Sequence, residues 1–444
     1  MDLAGKKVLV IGLARTGRDC GRFLVKQGAR VLMTDLRPEN ELKQEIEALK
    51  DLPLEYRLGA EDAAWVEGLD LVIPSPGVPQ ENALLQEARS RGIPIMSEVE
   101  LAFQFLRAPL IAITGTNGKS TTTTLTGEIF KAAGKKVFTG GNLGTPLIDS
   151  VSQSWDWAVA EISSFQLEWV NAFRPKIAVL LNLTEDHLDR YPDFAAYCSA
   201  KENIFRAQKS DDFAVLNRDD ALVWQIKDRI AARVISFGLS EIDEGVFATA
   251  TDVVWRSGGS EQRFPLKNVK IQGVHNVENI MAAVAVAATA GIDRDTIQNV
   301  LETFSGLEHR LEWVREKDGV RYYNDSKGTN VGAVVKSLAS FSGPVILIAG
   351  GVDKGGSYAV LNEEVKRTVR RLVLFGAAKD IIARALGALT DTVIVENLEA
   401  AVRDAAAHAQ PGDVVLLSPA CSSFDMFRNY AERGTVFKNL VQAL

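Results

Sequence analysis

Apolar runs rich in Val, Ile and Leu recur along the chain, each closed by a turn and separated from the next by a helical pattern. KKVLVIG (6–12), ARVLMTD (29–35) and DLVIPS (70–75) form a first series. PLIAITG (109–115), WAVAEIS (157–163) and KIAVLLNLT (176–184) form a second. GPVILIAGG (343–351), RLVLFG (371–376), DTVIVE (391–396) and GDVVLLSPA (412–420) form a third. Strands that are apolar on both faces and alternate with helices belong to parallel sheets covered on both sides. One stretch, 232–266, carries no helical period and predicts a small antiparallel insertion. Three α/β sheets fit this pattern. Boundaries near FLRAPL (105–110) and FSGLEHRLEW (304–313) give domains 1–108, 109–306 and 307–444.

Composition narrows the class without naming it. The chain has 444 residues, with Lys+Arg 50 against Asp+Glu 57, so its net charge is −7. It is 46% hydrophobic and 24% charged, which excludes a disordered chain, a collagen-like fibre and a disulfide scaffold. The acidity argues against a dedicated nucleic-acid partner. Cys20, Cys198 and Cys421 form no C-x-x-C pair, so reduced thiols are expected rather than a zinc site. The apolar run in MDLAGKKVLVIG is too short for a signal peptide. MAAVAVAATAG (281–291) falls short of the ~20 residues of a membrane span. A soluble, cytoplasmic protein with no membrane partner is expected.

In open parallel sheets ligands bind beyond the carboxyl ends of the strands, so the residues after each strand carry the chemistry. AITGTNGKSTTTTL (112–125) follows one strand and opens a helix. A glycine turn there aims backbone N–H groups at an anion. Gly115, Thr116, Asn117, Gly118 and Thr121 surround Lys119, which can reach the β/γ-phosphates, and Ser120, whose hydroxyl suits Mg²⁺. Ile113 replaces the first glycine of the strict phosphate-loop pattern.

GLARTG (12–17) resembles a dinucleotide turn, but Ala14 stands where the glycine that admits a pyrophosphate belongs. NAD, another phosphate-bearing ligand, or a structural turn are all compatible with it, and Asp35 ends the following strand. Glu161 ends strand WAVAEIS, where a carboxylate across from a phosphate loop suits Mg²⁺, although a solvated strand-end acid reads the same way. His187 follows the next strand in NLTEDHLDRY and is one of only four histidines. Lys201 lies in a helical pattern, where a solvated lysine is the ordinary expectation.

Together, TGTNGKST, AEISSFQL (160–167), NLTEDHLDRY (182–191), the Lys201 helix and GVHNVENIMAA (273–283) resemble the ATP-dependent Mur ligases of peptidoglycan synthesis. Within that family, YNDSKGTNVGA (323–333), LLSPACSSFDMFRNYAERG (416–434) and the IGLARTG opening are similar to members that add D-glutamate. The resemblance implies a Rossmann-like N-terminal domain, a central P-loop ATPase-like domain and a Rossmann-like C-terminal domain. It implies a UDP-sugar rather than NAD at Arg15, Thr16, Asp35, Arg37, Ser75, Pro76, Gly77, Asn142 and His187. It implies ATP on Lys119 and Ser120, with Asn276, Asn279, Arg310 and Asp325 reaching the nucleotide.

Glu161, His187 and Lys201 then join Lys119 as the catalytic set, with two Mg²⁺ ions held through Ser120, Glu161, His187 and a carbamylated Lys201. D-glutamate and domain closure fall to Lys327, Thr329, Lys354, Ser423, Phe424 and Tyr430. Gly328 and Tyr430 depart from the alanine and phenylalanine frequent there. The implied reaction joins D-glutamate to UDP-N-acetylmuramoyl-L-alanine through an acyl phosphate, in a monomer. A sibling ligase or a folylpolyglutamate-type synthetase shares the central motifs, and an NAD-dependent oxidoreductase is the alternative from another class.

Overall fold

The computed structural model describes residues 1–271 and 273–444. Three sheets follow one another along the chain. The first contains β1 (Lys7–Ile11), β2 (Arg30–Asp35), β3 (Leu54–Leu58) and β4 (Leu71–Pro74). All are parallel, in the order β3-β2-β1-β4. The loops that leave β2, β1 and β4 therefore emerge side by side at one edge.

The second sheet has nine strands in the order β13-β12-β11-β10-β9-β8-β5-β7-β6. Its parallel centre comprises β5 (Leu110–Thr114), β6 (Val137–Gly141), β7 (Trp157–Glu161), β8 (Ile177–Leu180) and β9 (Phe213–Asn217). β5 is buried at every position, as a central strand covered on both faces must be. It lies between β7 and β8, so residues after those two strands flank the loop after β5.

The expected antiparallel insertion needs correcting. β10 (Arg233–Gly238) pairs parallel with β9, and β11 (Gly245–Ala248) pairs parallel with β10. Only the pairings of β11 with β12 (Asp252–Ser257) and of β12 with β13 (Ser260–Pro265) are antiparallel. The stretch extends the main sheet instead of forming a separate unit. Gly245 makes the turn possible: its φ is 124, and a Cβ there would lie 2.2 Å from the Ser236 carbonyl oxygen. The helix Val274–Thr289 packs beside the helix Lys119–Ala132 and over β9 to β12. Its alanine and valine run is buried from Ile280 to Ala287, which explains a stretch so apolar yet too short to span a membrane. Among the described residues no helix is long and apolar enough to cross one.

The third sheet has the order β14-β15-β19-β16-β17-β18. Its strands are β14 (Glu312–Lys317), β15 (Val320–Asn324), β16 (Val345–Gly350), β17 (Val369–Phe375), β18 (Asp391–Ile394) and β19 (Val414–Leu417). Only β14 is antiparallel, paired with β15 in a hairpin. The loops after β15, β19 and β16 leave three adjacent strands.

The two joints between sheets differ in character. One hydrophobic cluster runs unbroken from Val8 and Leu24 of the first unit through Val99 and Leu101 to Phe138 and Leu180 of the second. The third sheet keeps its own two cores, one on each face. Its bridges to the second unit are polar: Lys327 to Ser120, Asn330 and Lys354 to Asp186, and Lys336 to Glu278. An apolar joint resists opening into water, whereas polar groups can exchange partners with water at small net cost.

Candidate active site

The loop after β5 is a cradle of main-chain groups. Gly115 has φ 149 and Gly118 has φ 89. Gly118 caps the helix Lys119–Ala132, whose first N–H groups are free to meet an anion. A Cβ on Gly118 would lie 2.3 Å from Asn279 Oδ1, so the loop and the helix Val274–Thr289 touch there. Asn182, after β8, clamps the loop: it accepts from Asn117 N at 2.8 Å and donates to the Asn117 carbonyl at 3.0 Å. Thr116 Oγ1 donates to the Thr184 carbonyl and accepts from Tyr197 Oη at 3.0 Å. Two buried polar atoms at this loop have no partner, Asn117 Nδ2 and Thr121 Oγ1. Lys119 folds back onto the Gly115 and Thr116 carbonyls at 2.8 and 2.9 Å. Burial pulls its ammonium below the usual range, against the pull of Glu161 and Asp186.

Glu161 is 3% exposed, which overturns the alternative of a solvated strand-end acid. Its Oε2 accepts from Ser120 Oγ at 2.5 Å and its Oε1 from Asn142 Nδ2 at 2.7 Å. Burial works against its charge, yet Lys327 and Lys119, with the bonds from Ser120 and Asn142, hold the carboxyl below its usual range. Lys327 Nζ donates to Ser120 Oγ at 2.6 Å. An ammonium from the third sheet thus rests where a cation is wanted. Burial, opposed by Glu161, draws Lys327 down to about 8, and its Nζ lies 5.2 Å from the centre of the Tyr430 ring.

Lys201 is not the solvated helix lysine that its pattern suggests. It is 1% exposed, donates to the Gly115 carbonyl at 2.9 Å and lies 4.7 Å from the Tyr197 ring centre. Burial first and Lys119 second hold its ammonium well below the ordinary lysine range. His187 takes a left-handed φ of 57, strained for a residue with a Cβ. Its ring packs edge-on against Phe165, with Nε2 3.7 Å from Asp186 Oδ2. Burial lowers its pKa to about 4 despite Asp186, so the neutral ring is the stable form.

Among the described residues no three acidic, His or Cys side chains converge as a ready metal site. The Ser120 hydroxyl beside the Glu161 carboxylate nevertheless supplies two hard oxygens, and the Lys327 ammonium already tests that place with positive charge. This donor set fits Mg²⁺, which favours oxygen ligands.

The remaining expected residues form three groups. In the first sheet, Asp35 accepts from Leu13 N at 2.9 Å and from Arg37 through Nε at 3.0 Å and Nη2 at 2.9 Å, while Ser75 Oγ donates to the Gly12 carbonyl. Asp35 is thus already spoken for by its own domain. Arg15 and Thr16 open the helix Arg15–Lys26, and Pro76 and Gly77 follow β4 beside them. Asn279 and Arg310 line a small cavity shared with Gly118 and Asp325, and Arg310 also lines a larger neighbouring cavity with Asn276. Asp325 is saturated, accepting from Ser337 and Ser418 at 2.7 Å each and from Leu311 N at 3.2 Å. Lys354 Nζ lies 3.4 Å from Thr329 Oγ1, and Ser423 is buried. Phe424 is 72% exposed and stands outside the buried cluster.

Several residues escaped the sequence reading. Tyr197, Asn182, Asp186 and Asn330 all sit inside strings already singled out, so proximity to His187 or Lys327 was the available signal. Arg433 also lies in a quoted string, 416–434, but nothing local marked it as buried. It is fully buried and donates to the Ser326, Cys421, Gly350 and Ser422 carbonyls, tying together the loops after β15, β19 and β16. The three cysteines are free.

A glycine-rich loop at the end of a central parallel strand, with a buried carboxylate, a buried lysine and a cation from the third sheet beside it, defines a phosphate-loop protein built of an apolar pair of units and a third joined to them by polar contacts. Residues 6–97 match the Mur ligase MurD-like N-terminal domain, 113–287 the Mur ligase middle domain, and 309–421 the Mur ligase glutamate ligase domain. A UDP-N-acetylmuramoylalanine--D-glutamate ligase of Geobacter metallireducens is 53% identical, covering 100% of this chain and 99% of that protein. One of Trichlorobacter lovleyi is 51% identical over 100% of both. The chain belongs to the Mur ligase family. A pseudomurein peptide ligase type C from Methanothermus fervidus shares the fold, with a TM-score of 0.63 at 18% identity over 99% of this chain and 100% of that one.

Proposed function

We propose that this chain joins D-glutamate to UDP-N-acetylmuramoyl-L-alanine, using ATP and releasing ADP and phosphate, as a cytoplasmic monomer in peptidoglycan precursor synthesis. The observation that carries the reading is the meeting of Lys327 with Ser120 and Glu161 at the end of the phosphate loop. That contact puts a third-sheet cation beside the place where a γ-phosphate would lie. Residues 1–108 would hold the UDP-substrate at Arg15, Thr16, Arg37 and the turn 75–77. Residues 109–306 would hold ATP, and residues 307–444 the amino acid. Asn142, bonded to Glu161, would connect the UDP-substrate to the phosphoryl site.

The chemistry divides into two displacements. The alanyl carboxylate attacks the γ-phosphorus, giving an acyl phosphate and ADP. The ammonium of D-glutamate gives up one proton to solvent; the resulting amine attacks the acyl carbon, the C–O bond to phosphate breaks, and the second proton on nitrogen leaves with the phosphate as hydrogen phosphate. The loop N–H groups and Lys119 would bear the phosphate charge, and released from the Gly115 and Thr116 carbonyls Lys119 has the reach to do so. Mg²⁺ held through Ser120 and Glu161, and through His187 with Lys201 as a carbamate, would neutralise charge on the phosphoryl oxygens. Lys201 suits carbamylation because its amine is buried and uncharged species add CO₂; the adduct loses one proton and becomes a carboxylate. The third unit would close over the acyl phosphate and keep water from it. Arg433 would fix the loops that present Lys327, Lys354 and Ser423.

The test is phosphate release from ATP with UDP-N-acetylmuramoyl-L-alanine and each of a panel of amino acids, the product weighed by mass spectrometry. Release only with D-glutamate, and a product heavier by one glutamyl residue, is the expected result. Release with L-glutamate, L-alanine or a diamino acid in its place would transfer the reading to a sibling reaction.

A further inference from the structure

Between the second and third sheets lies a third buried carboxylate, Asp186, which touches neither the phosphate loop's Lys119 nor Ser120. Asp186 is 7% exposed. Its Oδ1 accepts from His187 N at 3.0 Å and lies 3.5 Å from Lys354 Nζ. Its Oδ2 accepts from Asn330 Nδ2 at 3.0 Å. The other two buried carboxylates of the site are committed, Glu161 to Ser120 and Asn142, and Asp325 to Ser337, Ser418 and Leu311 N.

The Asp186–Lys354 pair is unusual in two ways. At 3.5 Å it is too long for a good charged hydrogen bond, and among the described residues the one other polar partner of the Lys354 ammonium is Thr329 Oγ1 at 3.4 Å. Two charges have been taken out of water without the close geometry that normally offsets the cost. The pair also joins domains, the carboxylate from the loop after β8 and the ammonium from the loop after β16.

An α-amino acid carries an ammonium and a carboxylate on one carbon, and its complement is a carboxylate and an ammonium side by side. We propose that Asp186 receives the α-ammonium of the amino-acid substrate while Lys354 takes its α-carboxylate, the substrate parting the ion pair. One loose pair is replaced by two close ones. The second carboxylate of D-glutamate is left to the Ser423 side of the pocket. Binding then tightens the polar joint, since the substrate touches the second unit through Asp186 and the third through Lys354. This inference rests on the ligase reading above.

Glutarate, the same dicarboxylate without the amine, separates the contributions. At saturating ATP and UDP-substrate, the KM for D-glutamate and the Ki for glutarate are measured for wild type, Asp186→Asn and Asp186→Glu. Asp186→Asn should raise the KM for D-glutamate roughly 30-fold, the loss of a hydrogen bond to a charged group. It should leave the Ki of glutarate unchanged or lower, because Lys354 loses its competitor. Should Asp186→Asn fail to fold, as judged by its melting curve, Asp186→Glu carries the same comparison, with the charge kept but displaced. Equal weakening of D-glutamate and glutarate would reduce Asp186 to a support of the site and overturn the inference. So would a KM for D-glutamate within twofold of wild type. Wild-type protein that releases no phosphate with all three substrates would instead sink the ligase reading itself.

Discussion

The helix Glu98–Phe105 connects the first sheet to the second, and Glu100 is its anchor. The Glu100 carboxylate is 3% exposed. Its Oε2 accepts from the backbone N–H of Asn171, Ala172 and Phe173 at 2.9, 3.1 and 2.8 Å, and its Oε1 from Ala172 N and Gln104 Nε2, both at 3.0 Å. A glutamine at this position keeps the shape, but only one of its two terminal atoms can accept. The other becomes a donor aimed at donors. Two charge-assisted bonds are lost, each worth about 1.5–3 kcal/mol when made to an ion, and relaxation of the neighbours recovers part. Glu100→Gln should therefore cost about 3 kcal/mol. The assay is a urea titration followed by tryptophan fluorescence, since the Trp169 carbonyl accepts from Ser97 N at the start of the same helix. Because the helix joins the two units, the KM for the UDP-substrate should rise more than that for ATP. A loss below about 1 kcal/mol would show that water or a shifted backbone satisfies those N–H groups, and the reasoning from buried donors would fail.

Three further outcomes follow from the same geometry. Lys201→Ala should lower the rate on the order of 100-fold or more, with partial recovery in formate or acetate; no recovery would count against the carbamate. Gly118→Ala, which strains a φ of 89 and sets a Cβ against Asn279, should raise the KM for ATP at least about tenfold, 1–3 kcal/mol of backbone strain being typical; an unchanged KM would remove the loop from the nucleotide site. Glu98, fully buried, has its carboxyl raised to about 7 by burial, against the bond it accepts from Ile148 N. The folded state then binds a proton that the unfolded state releases near 4.5, so this group's stability is complete at low pH and is lost as pH climbs through about 7. The stability of Glu98→Gln relative to wild type should rise by up to about 3 kcal/mol between pH 5 and pH 8, read by denaturation at both values; a pH-independent difference would show that Glu98 is ionised throughout.

Central strands were legible because burial on both faces makes them uninterrupted apolar runs. Several edge strands were not. β3 reads LEYRL and is only half-buried, and β14 reads EWVREK with no residue fully buried. Each packs on one face, so no continuous run marks it. β6, VFTGG, ends in two glycines that read as a turn. The same limit applied to the site. Glu161 and Lys119 stand at strand and loop ends whose role depends on local order, so they were found. Asp186 was passed over beside His187, because nothing local distinguishes a carboxylate that will face another domain's lysine from one that will face water.

What the chain's order settled on its own is where strands stop and which short loops lead out of them, since periodicity and glycine placement act over a few neighbouring residues. Which loops face one another was decided by the sheet order and by the docking of the third unit. Lys327 reaches Ser120 across 207 positions of sequence, and Lys201 becomes buried only because the loop after β5 and the Tyr197 ring close over it. Desolvation and long-range charge are properties of that packed neighbourhood, and no single segment carries them.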